Sequence, residues 1–109
     1  MPGAKIVVLY PQPTNVDEFE RVYLDERIPL TKAKIVDATK VVLTTIRSAV
    51  GGASPYHRIT ETHFASMDAL QASAASADTQ EAAGHAISIS SGGPPVFLVA
   101  DEEDVISFG

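Results

Sequence analysis

Residues 10–30, YPQPTNVDEFERVYLDERIPL, predict the end of a strand, a proline-framed turn and an amphipathic helix. Asn15 stands where a helix N-cap is expected, and Glu18 three residues later completes a capping box. Thr14 with Asp17 offers the same pattern one residue earlier. From either start, the apolar residues recur on one side of the helix, which therefore has a face to bury.

Pro29 is expected to interrupt this helix. It has no amide proton and its ring would clash with the carbonyl of Asp25, so a kink or stop is predicted near Ile28. A short helical turn is expected to resume through Lys34. The charged residue Arg27 lies at the break, near the edge of the apolar face.

The rest of the chain predicts three further strands and a second helical region. It also contains the start of the first strand, which ends in the stretch quoted above. Strands are expected at residues 5–10, 40–50, 56–64 and 95–100, and helical runs at residues 67–76 and 79–89. Ser66 is the expected N-cap of the first run, and Ser76 or Asp78 that of the second. The last nine residues are acidic and then apolar, and predict an arm or a short edge strand.

This order of elements, β-α-β-β-α-β, predicts an α+β fold of the ferredoxin-like type. Right-handed crossovers would place the four strands in one antiparallel sheet, with both helices on the same face. With 109 residues, we interpret residues 1–109 as one domain.

The composition argues against several classes of partner and site. There is no cysteine, so disulfides and thiolate metal sites are excluded and a cytoplasmic location is expected. The net charge is -6 and the basic residues are scattered, so nucleic acid is not an expected partner. No apolar run reaches about 18 residues and no signal-peptide pattern is visible, so a membrane is not expected either.

The predicted strands are apolar on both faces, although helices would cover only one. On the first strand Ile6 and Val8 alternate with Val7 and Leu9. On the second strand Val41 and Leu43 alternate with Val42 and Ile46, and on the fourth Val96 and Leu98 alternate with Phe97 and Val99. A strand buried on one face should instead alternate apolar with polar residues. We therefore predict a homodimer in which two sheets pack face to face.

Several groups of residues together resemble the EthD family. They are Tyr10-Pro11 with Pro13, Phe19, Tyr23, Ile28-Pro29-Leu30, Tyr56-His57-Arg58-Ile59, Phe64-Ala65-Ser66-Met67-Asp68-Ala69-Leu70 and Ser91-Gly92-Gly93. The family takes its name from a small protein associated with bacterial ether degradation. The resemblance implies a dimeric α/β barrel of two ferredoxin-like subunits. The wider superfamily includes cofactor-free monooxygenases, small decarboxylases and cyclases, and haem-degrading enzymes.

The sequence departs from the family pattern at four positions. The residue before Ile-Pro-Leu is usually His and here is Arg27; a late helical Asp is replaced by His85, and a nearby aromatic by Ile89. A Gly expected before the second strand is absent near Asp37. An Arg27–His85 pair would hold an anion better than it would move a proton.

Arg27 and Tyr23 are the predicted substrate-binding residues. Arg27 could clamp a carboxylate, phenolate or enolate, or it could pack its stem on the core with its head in water or paired with Asp25 or Glu26. Tyr23 lies one turn earlier on the same face, and would either be a core residue or line the mouth of a pocket.

Glu61 and His63 are candidate catalytic residues on the third strand. With His57 they alternate on one strand face, and if Phe64 packs under the helices they face the dimer partner. A Glu and a His at this spacing could share a proton, or form a polar layer in the interface. Two His and a Glu could also approach a metal, but the spacing is loose and we predict no metal site.

His85 is the third candidate catalytic residue. By analogy with the haem-degrading members, His85 could be a haem ligand, but the residues around it do not match those of these members, and no cofactor is predicted.

The predicted function is the binding of a small hydrophobic or aromatic metabolite in an apolar pocket between sheet and helices. Cofactor-free oxygenation, decarboxylation or isomerisation would use His63 or His85 as base and Glu61 as its orienter. The alternative is a non-catalytic ligand-binding or accessory protein.

Overall fold

The computed structural model describes residues 3–109. The strands are β1 (Ala4–Pro11), β2 (Lys40–Thr45), β3 (Tyr56–Phe64) and β4 (Val96–Asp101). The α-helices are α1 (Val16–Val22), α2 (Ile28–Lys34), α3 (Met67–Ala74) and α4 (Ala77–Ile89), and a π-helical segment, Tyr23–Arg27, joins α1 to α2. None of these helices is long and apolar enough to cross a membrane.

The four strands form one antiparallel sheet in the order β2-β3-β1-β4. Both helical regions pack on one face, so the predicted ferredoxin-like α+β fold is confirmed. The register between β1 and β3 shifts between Tyr10 and Pro11, which leaves His57 without a partner on β1. Such a bulge re-aims the side chain of the extra residue.

The core lies between the sheet and the helices. Val8 and Tyr10 of β1 pack against Phe19, Tyr23 and Ala86 of the helical layer. A second cluster joins Ala4 and Phe64 of the sheet to Leu70 of α3. The prediction that Phe64 packs under the helices is therefore confirmed, and residues two apart from it on β3 share its face.

Side-chain caps start three of the helices as expected. The Asn15 carboxamide accepts from the amide of Glu18 at 3.0 Å, and the Ser66 hydroxyl accepts from the amide of Ala69 at 3.1 Å. Of the two candidate caps for the last helix, Ser76 is the one that forms. These bonds satisfy amide groups that would otherwise have no partner at the helix start.

Pro29 does not end the first helical region, which continues to Lys34 through the π-helical segment. The amide of Ile28 donates to the carbonyl of Tyr23, five residues earlier, instead of four. This wider turn takes up one extra residue, so the chain stays helical around a proline that a regular helix would reject. Of the two alternatives predicted near Ile28, a kink or a stop, the stop is not found, and the irregular π-helical turn lies at that place. The predicted helical turn through Lys34 is confirmed.

The second strand is shorter than predicted, because its pairing with β3 stops after Thr45. The next residues form a protruding loop closed by a bridge between Ala49 and Gly52, with Gly51 at a φ of 89°. Before β2, Asp37 takes a φ of 62°, the left-handed conformation that glycine adopts most readily. Asp is one of the few other residues that tolerate it.

The sheet face away from the helices carries apolar side chains from all four strands, with Glu61 between Val7 and Val42. We call it the open sheet face; register and alternation assign to it Val7, Leu9, Val42, Ile59, Val96 and Leu98. Leu98 is 46% exposed. The C-terminal residues 102–109 form no strand, and their apolar side chains, including Ile106 and Phe108, are exposed. Of the two predictions for the tail, the edge strand is not found.

Candidate functional site

A cavity of about 140 Å³ lies between the sheet and the helices. Its apolar lining comes from Ile6, Val8, Ile35, Phe64, Ala83 and Phe97. The polar lining residues are Arg27, Thr62, Thr79 and Gln80. Gln80 and Phe97 are exposed and mark the mouth, whereas Arg27 and Thr62 are buried. We call this space the Arg27 cavity.

Neutral hydroxyl groups hold Arg27 in place. Its side chain is buried, with the residue 5% exposed, and the guanidinium donates through Nε to the Tyr10 hydroxyl at 3.2 Å. Nη1 donates to Thr31 Oγ1 at 2.8 Å, and Thr31 Oγ1 donates back to the Arg27 carbonyl at 2.9 Å. Burial raises the pKa of Tyr10 above its usual value, so this partner stays a neutral hydroxyl at physiological pH.

Within residues 3–109, no carboxylate lies within salt-bridge distance of Arg27. Glu26, one of its two expected partners, lies 3.9 Å from Arg21 and 3.9 Å from His85 instead. Asp25, the other, is exposed and forms no ion pair in that range. The interpretation of Arg27 as a stem with its head in water or paired to a neighbour therefore does not describe the structure. A guanidinium stays charged in proteins, so the cavity wall carries an uncompensated positive charge.

Tyr23 is a core residue and does not line the cavity. Its ring is buried against Tyr10 and Phe19, and the Arg58 guanidinium lies 4.5 Å from the ring centroid. Its hydroxyl is 2.5 Å from Thr60 Oγ1. Burial raises the pKa of Tyr23, which keeps the hydroxyl protonated. Of the two interpretations given by the sequence, the satisfied core residue is the one that fits this geometry.

His85 also lies outside the cavity lining. Its Nε2 is 3.9 Å from the Glu26 carboxylate, and its Nδ1 is buried without a hydrogen-bond partner among the described residues. His85 therefore turns toward Glu26 and does not line the Arg27 cavity, so this cavity is not built by the Arg27–His85 pair that the departures from the family pattern had suggested.

Glu61 and His63 lie on the open sheet face, on the other side of the sheet from the cavity. Glu61 Oε1 accepts from Lys5 Nζ at 2.9 Å and lies 3.9 Å from His63 Nε2. The other ring nitrogen of His63, Nδ1, is 3.5 Å from Glu102. These four residues form a polar cluster at one end of the open face. The structure does not bring this cluster together with Arg27 in a single chain.

His57 does not share that face, contrary to the strand alternation. The register shift turns it toward α1, where its ring lies edge-on to Phe19 and its Nε2 is 3.4 Å from Glu20 Oε2. Arg58 binds the same Glu20 carboxylate through two hydrogen bonds, at 2.8 and 3.0 Å. No group of three or more His, Asp or Glu residues in the range 3–109 is arranged to hold a metal.

Glu20→Gln is expected to lower the free energy of unfolding by about 1 kcal/mol at neutral pH. The hydrogen bonds from Arg58 hold the pKa of Glu20 below its ordinary value, so this stabilisation is present above that value. It is lost as the pH falls through the lowered pKa, because the unfolded chain then takes up the proton more readily. Urea unfolding at several pH values should therefore show the variant and the wild type converging as the pH falls below the ordinary pKa of a glutamate carboxyl group and through the lowered pKa of Glu20.

The matched control is Glu103→Gln in the exposed C-terminal segment, which should leave the free energy of unfolding unchanged at every pH. A constant difference between wild type and Glu20→Gln from neutral to acidic pH would contradict the ion-pair explanation.

The sequence-based reasoning missed Tyr10 and Thr31, which position Arg27, and Thr62 and Gln80, which line the cavity with it. The spacing of Thr31, four residues after Arg27 on one helical face, was a signal that could have been used. The contact with Tyr10 depends on the packing of the π-helical segment against β1, for which the sequence holds no local signal.

Solved structures with the same architecture identify the fold. An EthD family protein from Bacillus halodurans superimposes with a TM-score of 0.83, is 22% identical, and the match covers 92% of this chain and 98% of that one. The chain has the EthD fold. The predicted resemblance is therefore confirmed at the level of the fold.

Two other solved structures superimpose on the chain at lower similarity. SnoaB, a cofactor-independent oxygenase from Streptomyces nogalater, gives a TM-score of 0.63 at 12% identity, covering 97% of this chain and 98% of that one. A dimeric protein of ferredoxin-like fold from Bacteroides fragilis gives 0.62 at 13% identity, covering 92% and 96%. No protein-family model matches the sequence. No curated protein matches it either.

Proposed function

We propose that this EthD-fold protein binds a small hydrophobic or aromatic metabolite that carries an oxygen function. The observation that carries the proposal is the apolar Arg27 cavity with one buried, uncompensated guanidinium in its wall. A cavity of about 150 Å³ lined by apolar side chains is large enough to bind benzene, so a volume of about 140 Å³ suits a single ring. Apolar walls with few polar groups are typical of small-molecule sites.

The lining favours binding over acid–base catalysis. Its polar members are a guanidinium, two threonine hydroxyls and a carboxamide, and none of these serves as a general base at neutral pH. His63, Glu61 and His85, the residues predicted to move protons, do not line it. These facts support the alternative of a ligand-binding or accessory protein. Arg27 remains the residue suited to stabilise an oxyanion if the ligand reacts.

We further propose that two copies pair through the open sheet face. The face is apolar, and six side chains from four strands would be left in contact with water in a monomer. The dimeric Bacteroides fragilis protein, whose fold is similar, supports this assembly. In such a dimer Glu61 and His63 would form a polar layer in the interface, as the sequence suggested, and Lys5 would join it through its hydrogen bond to Glu61.

Filling the cavity tests the binding proposal. Ala83→Phe places a ring in the space, and it is expected to lower the affinity for a one-ring probe such as benzyl alcohol by at least tenfold. Binding is measured by the chemical-shift changes of methyl groups that line the cavity, those of Ile6, Val8 and Ile35.

The matched control is Ala72→Phe on the exposed side of α3, which does not line the cavity and should bind as the wild type does. Circular dichroism checks that both variants fold. Equal affinity of Ala83→Phe and wild type, or a response of methyl groups far from the cavity only, would overturn the proposal.

A further inference from the structure

We infer that the Arg27 cavity selects a one-ring carboxylate, a monoanion whose charge the buried guanidinium neutralises. The inference rests on the proposed binding function and adds to it the charge and the shape of the ligand. Three properties of the site carry it: the missing counterion, the number of hydrogen-bond donors left over, and the polarity of the walls.

The missing counterion requires a negative charge. Arg27 is 5% exposed, and its partners Tyr10 and Thr31 are neutral hydroxyls. Removing a cation from water without a compensating anion is costly, and the guanidinium cannot lose its proton to avoid that cost. A ligand that brings one negative charge into the cavity converts an unfavourable buried charge into a hydrogen-bonded ion pair.

The leftover donors match two acceptor oxygens. Nε and one N–H of Nη1 are used by Tyr10 and Thr31, so Nη2 and the second N–H of Nη1 have no partner in the part of the chain that the structure describes. The guanidinium presents its donors as a fork, and a carboxylate accepts two parallel hydrogen bonds from it. A neutral carboxamide offers only one acceptor oxygen, and its NH₂ group, a donor, would face the donor groups of the guanidinium.

The remaining walls disfavour a more highly charged head. Apart from Arg27, the buried lining offers only threonine hydroxyls as polar groups, and the described residues supply no second cation there. A phosphonate dianion would leave one charge uncompensated in an apolar space, whereas a carboxylate leaves none. The volume of about 140 Å³ then limits the body of the ligand to about one ring.

Isothermal titration calorimetry of the full chain with benzoate, benzamide and phenylphosphonate tests the inference at pH 7.5 and low salt. Benzoate is expected to bind at least tenfold more tightly than its neutral isostere benzamide, which corresponds to about 1.4 kcal/mol. Phenylphosphonate is expected to bind more weakly than benzoate. In Arg27→Met, which keeps an apolar stem, the preference for benzoate over benzamide should disappear while benzamide still binds.

The outcomes separate this inference from the proposed function. Equal binding of benzoate and benzamide, a preference for phenylphosphonate, or an unchanged preference in Arg27→Met overturns the carboxylate inference and leaves the pocket standing. Failure of every ring-sized probe, benzyl alcohol included, overturns the proposed function as well. The affinities of the wild type for the three probes are enough to decide whether the cavity prefers a monoanion, so this conclusion does not depend on the folding of Arg27→Met.

Discussion

Leu98→Glu is expected to convert the proposed homodimer into a monomer. Leu98 lies on the open sheet face, on the edge strand β4 beside Val7 of β1, and is 46% exposed in the single chain. A two-fold interface presents every residue twice, so one substitution introduces two carboxylates. Each would be moved from water into an apolar interface without a partner, which costs several kcal/mol. The dissociation constant should rise at least about 100-fold, equivalent to about 2.8 kcal/mol.

Sedimentation velocity at micromolar concentration measures this effect. The wild type should sediment as a dimer and Leu98→Glu as a folded monomer. Leu24→Glu is the matched control, because Leu24 is 49% exposed and lies in the helical layer, away from the open face. A Leu98→Glu protein that remains dimeric would show that the copies meet elsewhere, and a monomeric wild type would remove the dimer proposal.

Gly92→Ala is expected to lower the free energy of unfolding by about 3 kcal/mol. A Cβ atom at Gly92 would lie 1.8 Å from the carbonyl oxygen of Gln12 and 2.7 Å from its carbonyl carbon. Both are backbone atoms, so no side-chain rotation relieves the clash. The loop between α4 and β4, which contains Gly92, would have to move away from the turn between β1 and α1, which contains Gln12.

Gly84→Ala is expected to change the free energy of unfolding in the opposite direction. Gly84 lies within α4, and a Cβ atom there meets no heavy atom within 4 Å. Alanine is the better helix former, so this variant should be more stable than the wild type by about 0.5–1 kcal/mol. Urea unfolding at one fixed protein concentration compares the three proteins, because the stability of a dimer depends on concentration. A Gly92→Ala protein as stable as wild type would contradict the close approach of the two loops.

Local signals in the sequence were enough to predict the fold. The β-branched apolar run of β1, the caps at Asn15 and Ser66, and the Gly and Pro residues after α4 each act over a few neighbouring residues. Together they fix the order of the elements, and the order leaves few topologies. The length of β2 was overestimated because its apolar residues continue after the pairing with β3 has ended.

The site was predicted less well than the fold because two local irregularities of the backbone change the direction in which its side chains point. The register shift opposite Tyr10 sends His57 to α1, although simple alternation places it beside Glu61. The wide turn of the π-helical segment displaces the residues after it by about 100° around the helix axis relative to a regular helix. Arg27 was selected from the sequence, but its burial and its neutral partners depend on contacts with Tyr10, which is distant in the chain.

The π-helical segment behaves as a one-residue insertion in an otherwise regular helix. Removing one residue from it would restore the ordinary hydrogen-bond ladder and would turn a different residue of the chain toward the cavity. A relative whose helix is regular therefore has to be matched with a gap at this segment. The residue that corresponds to Arg27 in such a relative is then found by counting back from Ile-Pro-Leu, and counting forward from the start of α1 would assign the wrong one.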